Sequence, residues 1–459
     1  MANHKYPKIT AAVMIISLLG PHVFAGQDRR VGRPNIVLIL ADQMRACAMG
    51  SMGNTIVKTP NLDRLAKQGL LLKNAISVQP VCSPYRAQLM TGRYGHVTGV
   101  IENDIRLPNN ETTLAEVLKD DGYATGYIGK WHLAGHRQDP VAKEDRQGWD
   151  FWAVRNVSHE HKQAVYWLND AKEPVVVDMW EPEVQTDLAI EYIKANMSRP
   201  FILMLSFGPP HPPYWAPPEY MKRYNGVNIV LRPNVPRGPK LEKTKNKIKK
   251  YYAMISSLDD CVGRIMTALD QLGLAENTIL LFSSDHGDML GSHGYSQKRR
   301  PWEESINIPL IIRYPKKIKS GQIRDWLIAS VDIMPTLLGL AGAEIPDKEQ
   351  GIDQSALFTG KGKKEREGVF LFNEKPPGGQ IPAWRGIRTK EWIFAYHAKG
   401  DWVMYDLKND PFELNNLIDN PAYATKKEEL RREIRAMREK LGENLPLKGD
   451  FPPPIQISN

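Results

Sequence analysis

Short, uninterrupted apolar runs separated by helical patterns leave this chain few ways to fold. Asn35–Leu40, Tyr123–Ile128, Phe201–Phe207, Thr278–Ser283 and Pro309–Arg313 are apolar on both alternating faces, the signature of strands buried in a parallel or mixed sheet. Amphipathic patterns at Leu62–Gly69, Leu114–Gly122, Val184–Ala195 and Lys250–Gly273 lie among them. Such alternation predicts an α/β fold: a three-layer sandwich around a large, mostly parallel mixed sheet, assigned to residues 26–359. Near Gln350 the pattern changes. Gly368–Asn373, Ala383–Thr389, Trp392–Tyr396 and Val403–Asp406 read as closely spaced strands, followed by an amphipathic stretch at Tyr423–Leu441. Residues 360–459 are therefore expected to form a smaller antiparallel sheet with one covering helix.

At 459 residues, 42% of them hydrophobic and 25% charged, the chain can bury a large core, which excludes wholesale disorder and a fibrous repeat. Three cysteines cannot form a disulfide framework, and whether Cys47 and Cys261 pair is open. The net charge of +9 favours anionic partners. Basic residues are scattered and no nucleic-acid module appears, so nucleic acid is not expected. The run KLEKTKNKIKK before Tyr251 reads either as a solvated helix start or as a patch for a polyanion.

Residues 1–25 read as a signal peptide. Lys5 and Lys8 precede the apolar stretch Ile9–Leu19, and Val23-Phe24-Ala25 suits cleavage. The stretch is shorter than the roughly 20 residues that span a bilayer. An exported protein, periplasmic or secreted and without a stable membrane anchor, is expected.

Four of the five apolar runs end in polar residues. Asn35–Leu40 leads to Asp42-Gln43, Tyr123–Ile128 to Lys130 and His132, Phe201–Phe207 to His211, and Thr278–Ser283 to Asp285-His286. Ligands of open α/β sheets sit beyond the carboxyl ends of the strands. One aspartate there is commonly a helix cap, whereas four such endings make a constellation. Asp42, Gln43 and Asp285 offer hard oxygen ligands for Ca²⁺ or Mg²⁺, and His286 tilts the set toward Mg²⁺ or Mn²⁺. Cys82-Ser83-Pro84-Tyr85-Arg86 opens a helix, with Ser83 as the expected cap. Cys82 then lies at a helix N-terminus one turn from Arg86, a setting for a reactive thiol rather than a small buried hydrophobe. Together these residues suit hydrolysis of a sulfate or phosphate ester.

Cys82-Ser83-Pro84-Tyr85-Arg86, continuing Leu89-Met90-Thr91-Gly92-Arg93, resembles the C-x-P-x-R signature of the type I, formylglycine-dependent sulfatases of the alkaline phosphatase superfamily. Gly129-Lys130-Trp131-His132, Ser284-Asp285-His286-Gly287 with Lys298 beyond, and Tyr405-Asp406-Leu407 before Asp410-Pro411 resemble further motifs of that family. The resemblance implies a sulfuric ester hydrolase in which a maturation enzyme oxidises Cys82 to formylglycine. It implies that Asp42, Gln43, Asp285, His286 and the modified Cys82 hold a divalent cation, Ca²⁺ first, with Mg²⁺ or Mn²⁺ as alternatives. Arg86 and Lys130 would orient the aldehyde hydrate and His132 take its proton. Lys298 would clamp sulfate, and His211 would serve the leaving alcohol.

Many members have two aspartates where this chain has Asp42-Gln43, and Asp-Asn where it has Asp285-His286. Both changes are shared with relatives acting on phosphonate monoesters or choline sulfate. Those activities, a small aryl sulfate, or non-catalytic polyanion binding stand as alternatives. The leading expectation is a sulfated polysaccharide or its oligosaccharides, such as ulvan, carrageenan or a glycosaminoglycan. Tyr214, Trp215 and Trp384-Arg385 are candidates to stack on or clamp a sugar.

Overall fold

The computed structural model describes residues 8–9, 32–136, 140–374 and 381–447. The proposed leader, apart from Lys8–Ile9, lies outside the described residues. Eleven strands make the large sheet: β1 (Lys8–Ile9), β2 (Asn35–Asp42), β3 (Leu70–Ile76), β4 (Ala124–Lys130), β5 (Phe151–Arg155), β6 (Lys162–Leu168), β7 (Val175–Trp180), β8 (Phe201–Pro210), β9 (Thr278–Ser284), β10 (Asn307–Arg313) and β11 (Gln322–Ala329). Their spatial order is β1-β7-β6-β5-β4-β8-β2-β9-β10-β3-β11. The central five, β5-β4-β8-β2-β9, are parallel. β10 runs antiparallel to both β9 and β3, and β6 to both β5 and β7.

β2 shows why the centre is parallel. All eight of its residues are buried. Val37, Ile39 and Ala41 enter one hydrophobic core while Ile36, Leu38 and Leu40 enter the other. A strand buried on both faces needs a helical layer on each. One layer holds α1 (Pro60–Gln68), α4 (Glu181–Asn196) and α5 (Leu241–Gln271). The opposite layer holds α2 (Cys82–Thr91), α3 (Leu114–Asp120) and α6 (Ile333–Ala341). The Lys-rich run is largely the first turns of α5, which begins at Leu241 rather than Lys250.

A second sheet, β12 (Gly368–Asn373), β13 (Trp384–Thr389), β14 (Trp392–His397) and β15 (Gly400–Asp406), is antiparallel throughout. It packs with α7 (Ala424–Leu441) in a third core that also takes Ile76, Met289, Trp302 and Leu327 from the large sheet's side. Trp384 Nε1 donates to the Arg299 carbonyl at 2.9 Å, and Arg388 pairs with Glu303 at 2.7 Å. Trp384 and Arg385 are wholly buried. Arg385 is held by Glu374 and by Glu443 at 2.8 Å, so this pair packs the seam and offers no sugar platform. All three cysteines are free thiols.

Candidate active site

Strand order brings the polar endings together, because β4, β8, β2 and β9 are neighbours whose carboxyl ends share one rim. Asp42 is the last residue of β2 and Lys130 the last of β4. Beyond Leu40 the β2–β8 register shifts, so that Asp42 faces Pro210 and His211 follows at the strand's end. Gln43 leaves β2 in the left-handed region with φ 69°.

Helix α2 carries Cys82 and Arg86 into this rim, and all ten of its residues are buried. Ser83 does not cap it. Val81 occupies the cap position in extended conformation, and the Ser83 hydroxyl donates to the His132 carbonyl at 2.7 Å. That hydroxyl ties the helix start to the end of β4.

Cys82 Sγ lies 3.3 Å from His286 Nε2, 3.5 Å from Lys298 Nζ and 3.9 Å from Asp42 Oδ1. Lys130 Nζ is 2.6 Å from Asp42 Oδ2, and Arg86 Nη2 is 3.2 Å from the same oxygen and 3.5 Å from Asp285 Oδ2. Arg86 Nη1 also donates to the Lys130 carbonyl at 2.8 Å and to Ser206 Oγ at 2.7 Å. Lys298 donates to Gln43 Oε1 at 2.7 Å, while Gln43 Nε2 donates to Asp288 Oδ2 at 2.7 Å.

The charges are unequally shared. Burial pushes the Asp42 carboxyl up, but Lys130, His211, Arg86 and Lys298 outweigh it and hold Asp42 well below the ordinary range. Asp285 is raised by burial and by the Asp42 charge beside it. Burial pushes His286 down, but Asp285 and Cys82 together outweigh it and leave His286 raised. For the Cys82 thiol, burial and Asp42 act upward, yet Lys130, Lys298 and His286 prevail and bring it well below the usual thiol range. One donor atom each from Asp42, Cys82, Asp285 and His286 lies within 4.8 Å of the others. Two carboxylates, one raised by its neighbour, with an imidazole and an adjacent amide oxygen, fit a hard divalent cation.

The two remaining imidazoles are oriented by different means. His132, at φ 61°, sets Nε2 2.8 Å from Asp104 Oδ1, leaving Nδ1 buried and without a hydrogen-bond partner. His211 turns Nδ1 to the Pro212 carbonyl at 2.6 Å, and His161 Nε2 contacts the His211 carbonyl at 2.7 Å. The ring of His159 stacks on His211, centroids 3.9 Å apart at 17°. Burial and then Lys298 hold His211 well below the ordinary imidazole range.

All ten expected site residues thus converge. Sequence reasoning passed over Asp104, His159 and Ser206, which sit in loops or mid-strand without a pattern to mark them. Asp288 follows the quoted motif directly and was detectable there.

The Sulfatase family model matches residues 34–343, more than half of the chain, and the model "N-sulphoglucosamine sulphohydrolase, C-terminal" matches residues 291–440. The chain is 38% identical over 421 residues to an ulvan-active sulfatase of Formosa agariphila, covering 90% of this chain and 82% of that protein. It is 26% identical over 522 residues to an N-acetylglucosamine-6-O-sulfatase of Bacteroides thetaiotaomicron, covering 95% and 91%. The solved yidJ structure from Bacteroides fragilis superposes with a TM-score of 0.84 at 33% identity, over 91% of this chain and 98% of that one. A solved complex with D-glucosamine-2-N,6-O-disulfate superposes with a TM-score of 0.83 at 26% identity, over 90% and 99%. This chain belongs to the sulfatase family and is a sulfatase.

Proposed function

We propose that the protein is an exported carbohydrate sulfatase that removes sulfate from a sulfated polysaccharide or its oligosaccharides, with Cys82 matured to formylglycine by a separate enzyme. The observation that carries this reading is the position of Cys82 Sγ, in the first turn of α2, within 4 Å of Asp42, His286 and Lys298 at once. Names of relatives point the same way, since one acts on ulvan and another is a 6-O-sulfatase of N-acetylglucosamine. Among the described residues no helix is long and apolar enough to cross a membrane.

The residues divide the work as follows. Residue 82, as an aldehyde hydrate, would supply the oxygen that attacks sulfur. A divalent cation, Ca²⁺ by donor hardness with Mg²⁺ and Mn²⁺ as competitors, would be held by Asp42, Gln43, Asp285 and His286 and would stabilise anionic oxygens. Lys130 and Arg86 neutralise the two carboxylates and hold residue 82 in register. Lys298 reaches from Gln43 to the residue-82 side chain, where it can clamp a sulfate oxygen. His132, anchored through Nε2 by Asp104, keeps Nδ1 to accept a proton. His211, with Nδ1 on the Pro212 carbonyl, would offer Nε2 to the leaving alcohol. Burial, and after it Lys298, favour its neutral form until an anionic ester brings compensating charge.

Peptide mass spectrometry across Cys82 tests the nucleophile: the aldehyde is expected in active material. Sulfate release from sulfated saccharides, measured beside matched aryl sulfates and aryl phosphonates, tests the reaction. Thiol alone in an active preparation, or faster phosphonate than sulfate cleavage, sinks the reading.

A further inference from the structure

The stacked imidazoles His159 and His211 stand at the head of two segments that diverge. Residues 159–162 run into β6, and residues 211–215 form the loop after β8. Between them lies a recess of about 310 Å³ lined by Glu160, His161, Lys162, Pro213 and Trp215. Two of its lining residues connect it to His211: His161 Nε2 contacts the His211 carbonyl at 2.7 Å, and Pro213 follows His211 by two residues.

Trp215 is 40% exposed, the one aromatic among the large exposed hydrophobics of the described residues. Its indole does not hang free. It packs edge-on against buried Trp180, centroids 5.6 Å apart at 67°, and Trp180 Nε1 is bonded to Ser257 Oγ at 3.1 Å. Lys162 Nζ stands 5.7 Å from the centre of the Trp215 ring. No carboxylate is paired with Lys162 among the described residues. A fixed, solvent-facing indole with a cation above it and a carboxylate at the rim presents an apolar face, a positive charge and a hydroxyl acceptor within one recess. A sugar ring matches all three demands at once, whereas an acyl chain would leave Lys162 and Glu160 without a role.

Building on the sulfatase reading, in which His211 meets the leaving alcohol, we infer that this recess binds the sugar residue next to the sulfated one. Trp215 takes the apolar face of that ring, and Lys162 takes an anionic substituent, sulfate or carboxylate. The substrate class is accordingly an anionic oligosaccharide rather than an isolated sulfated monosaccharide.

The test uses the full-length, matured enzyme, its Trp215→Ala variant and its Lys162→Gln variant. Each is assayed on 4-nitrophenyl sulfate, a monosaccharide sulfate, and sulfated disaccharides whose second residue is neutral, sulfated or a uronic acid. In Trp215→Ala the preference for disaccharide over monosaccharide, as a ratio of kcat/KM, is expected to fall about 10-fold, carried mainly by KM. In Lys162→Gln the preference for an anionic over a neutral second residue is expected to fall about 5-fold and to lose its salt sensitivity. The sulfated and uronic arms then show which anion Lys162 takes. Lys162→Gln also guards against Trp215→Ala acting only through Trp180 packing. Wild-type ratios retained in both variants, or no wild-type preference for disaccharides, overturn the subsite while the sulfatase reading stands. Failure to hydrolyse any sulfate ester overturns both.

Discussion

Lys130 Nζ lies 2.6 Å from Asp42 Oδ2, and neither side chain is exposed to solvent. The pair joins the ends of β4 and β2 across the intervening β8 and places an ammonium beside a carboxylate whose other oxygen lies 3.9 Å from Cys82 Sγ. Replacing Lys130 by Met would leave Arg86 as the one direct ion-pair partner of Asp42 among the described residues. We expect a loss of about 3 kcal/mol in unfolding free energy, typical of a buried carboxylate deprived of a partner. Turnover should fall by at least about 100-fold. Urea unfolding and sulfate release measure the two; an unchanged unfolding midpoint would show that the pair is energetically idle.

Cation binding should be visible without any turnover. If Asp42, Gln43, Asp285 and His286 hold a dication, Ca²⁺ at 100 times its dissociation constant stabilises the fold by about 2.7 kcal/mol. A chelator should reverse the gain. Asp285→Asn, which removes one ligand charge, should abolish the Ca²⁺-dependent shift in Tm. A variant that still responds fully to Ca²⁺ would place the ion elsewhere.

How much of this could be read from sequence follows from burial. The five apolar runs were legible because β2, β4, β8, β9 and β10 are covered on both faces, and their polar endings were conspicuous for the same reason. The outer strands were not. β6 reads KQAVYWL, with Lys162 and Gln163 exposed, and β11 reads QIRDWLIA; each is only half covered, so its pattern merges with loop composition. Trp384-Arg385 misled because an aromatic-basic pair at a strand start reads alike whether it faces a ligand or a core. What decides it is Glu443, 58 residues further along. Ser83 misled likewise: its partner is the His132 carbonyl, 49 residues away, not its own helix. Asp104 and His159 act through neighbours remote in sequence, and composition carries no trace of such pairings.

Glu181 supports His211 from beneath the sheet rim. Its wholly buried carboxylate is 2.8 Å from Arg155 Nη2 and 3.0 Å from His161 Nδ1, and His161 contacts the His211 carbonyl. Burial raises this carboxyl, but Arg155 and His161 outweigh it and leave it below the ordinary value of 4.5. A lowered carboxyl contributes stability above that value and loses it as pH falls through the folded-state value. Glu181→Gln should therefore lower Tm at pH 7, by an unfolding cost of about 3 kcal/mol. The deficit should shrink below pH 4. It should also lower kcat, because His161 loses the group that orients it. Equal Tm deficits at pH 7 and pH 3.5 would refute the electrostatic account.

Glu349 shows the opposite sign. Its Oε2 is buried without a hydrogen-bond partner, close enough to Gly92 that a Cβ there would lie 1.5 Å away. Gly92 ends the helix that begins with Cys82, so this carboxyl meets the negative end of a helix dipole. Burial pushes it up to about 8, with Arg93 only partly offsetting. A group raised in the folded state gives its full contribution below the unfolded value of 4.5, and that contribution drains away as pH climbs toward 8. Glu349→Gln keeps the neutral shape and removes the titration. Its Tm should match the wild type below pH 4.5 and exceed it by pH 8, with the gap widening between. Parallel Tm curves across that range would mean that Glu349 is ionised in the fold, and that Arg93 alone suffices to keep it there.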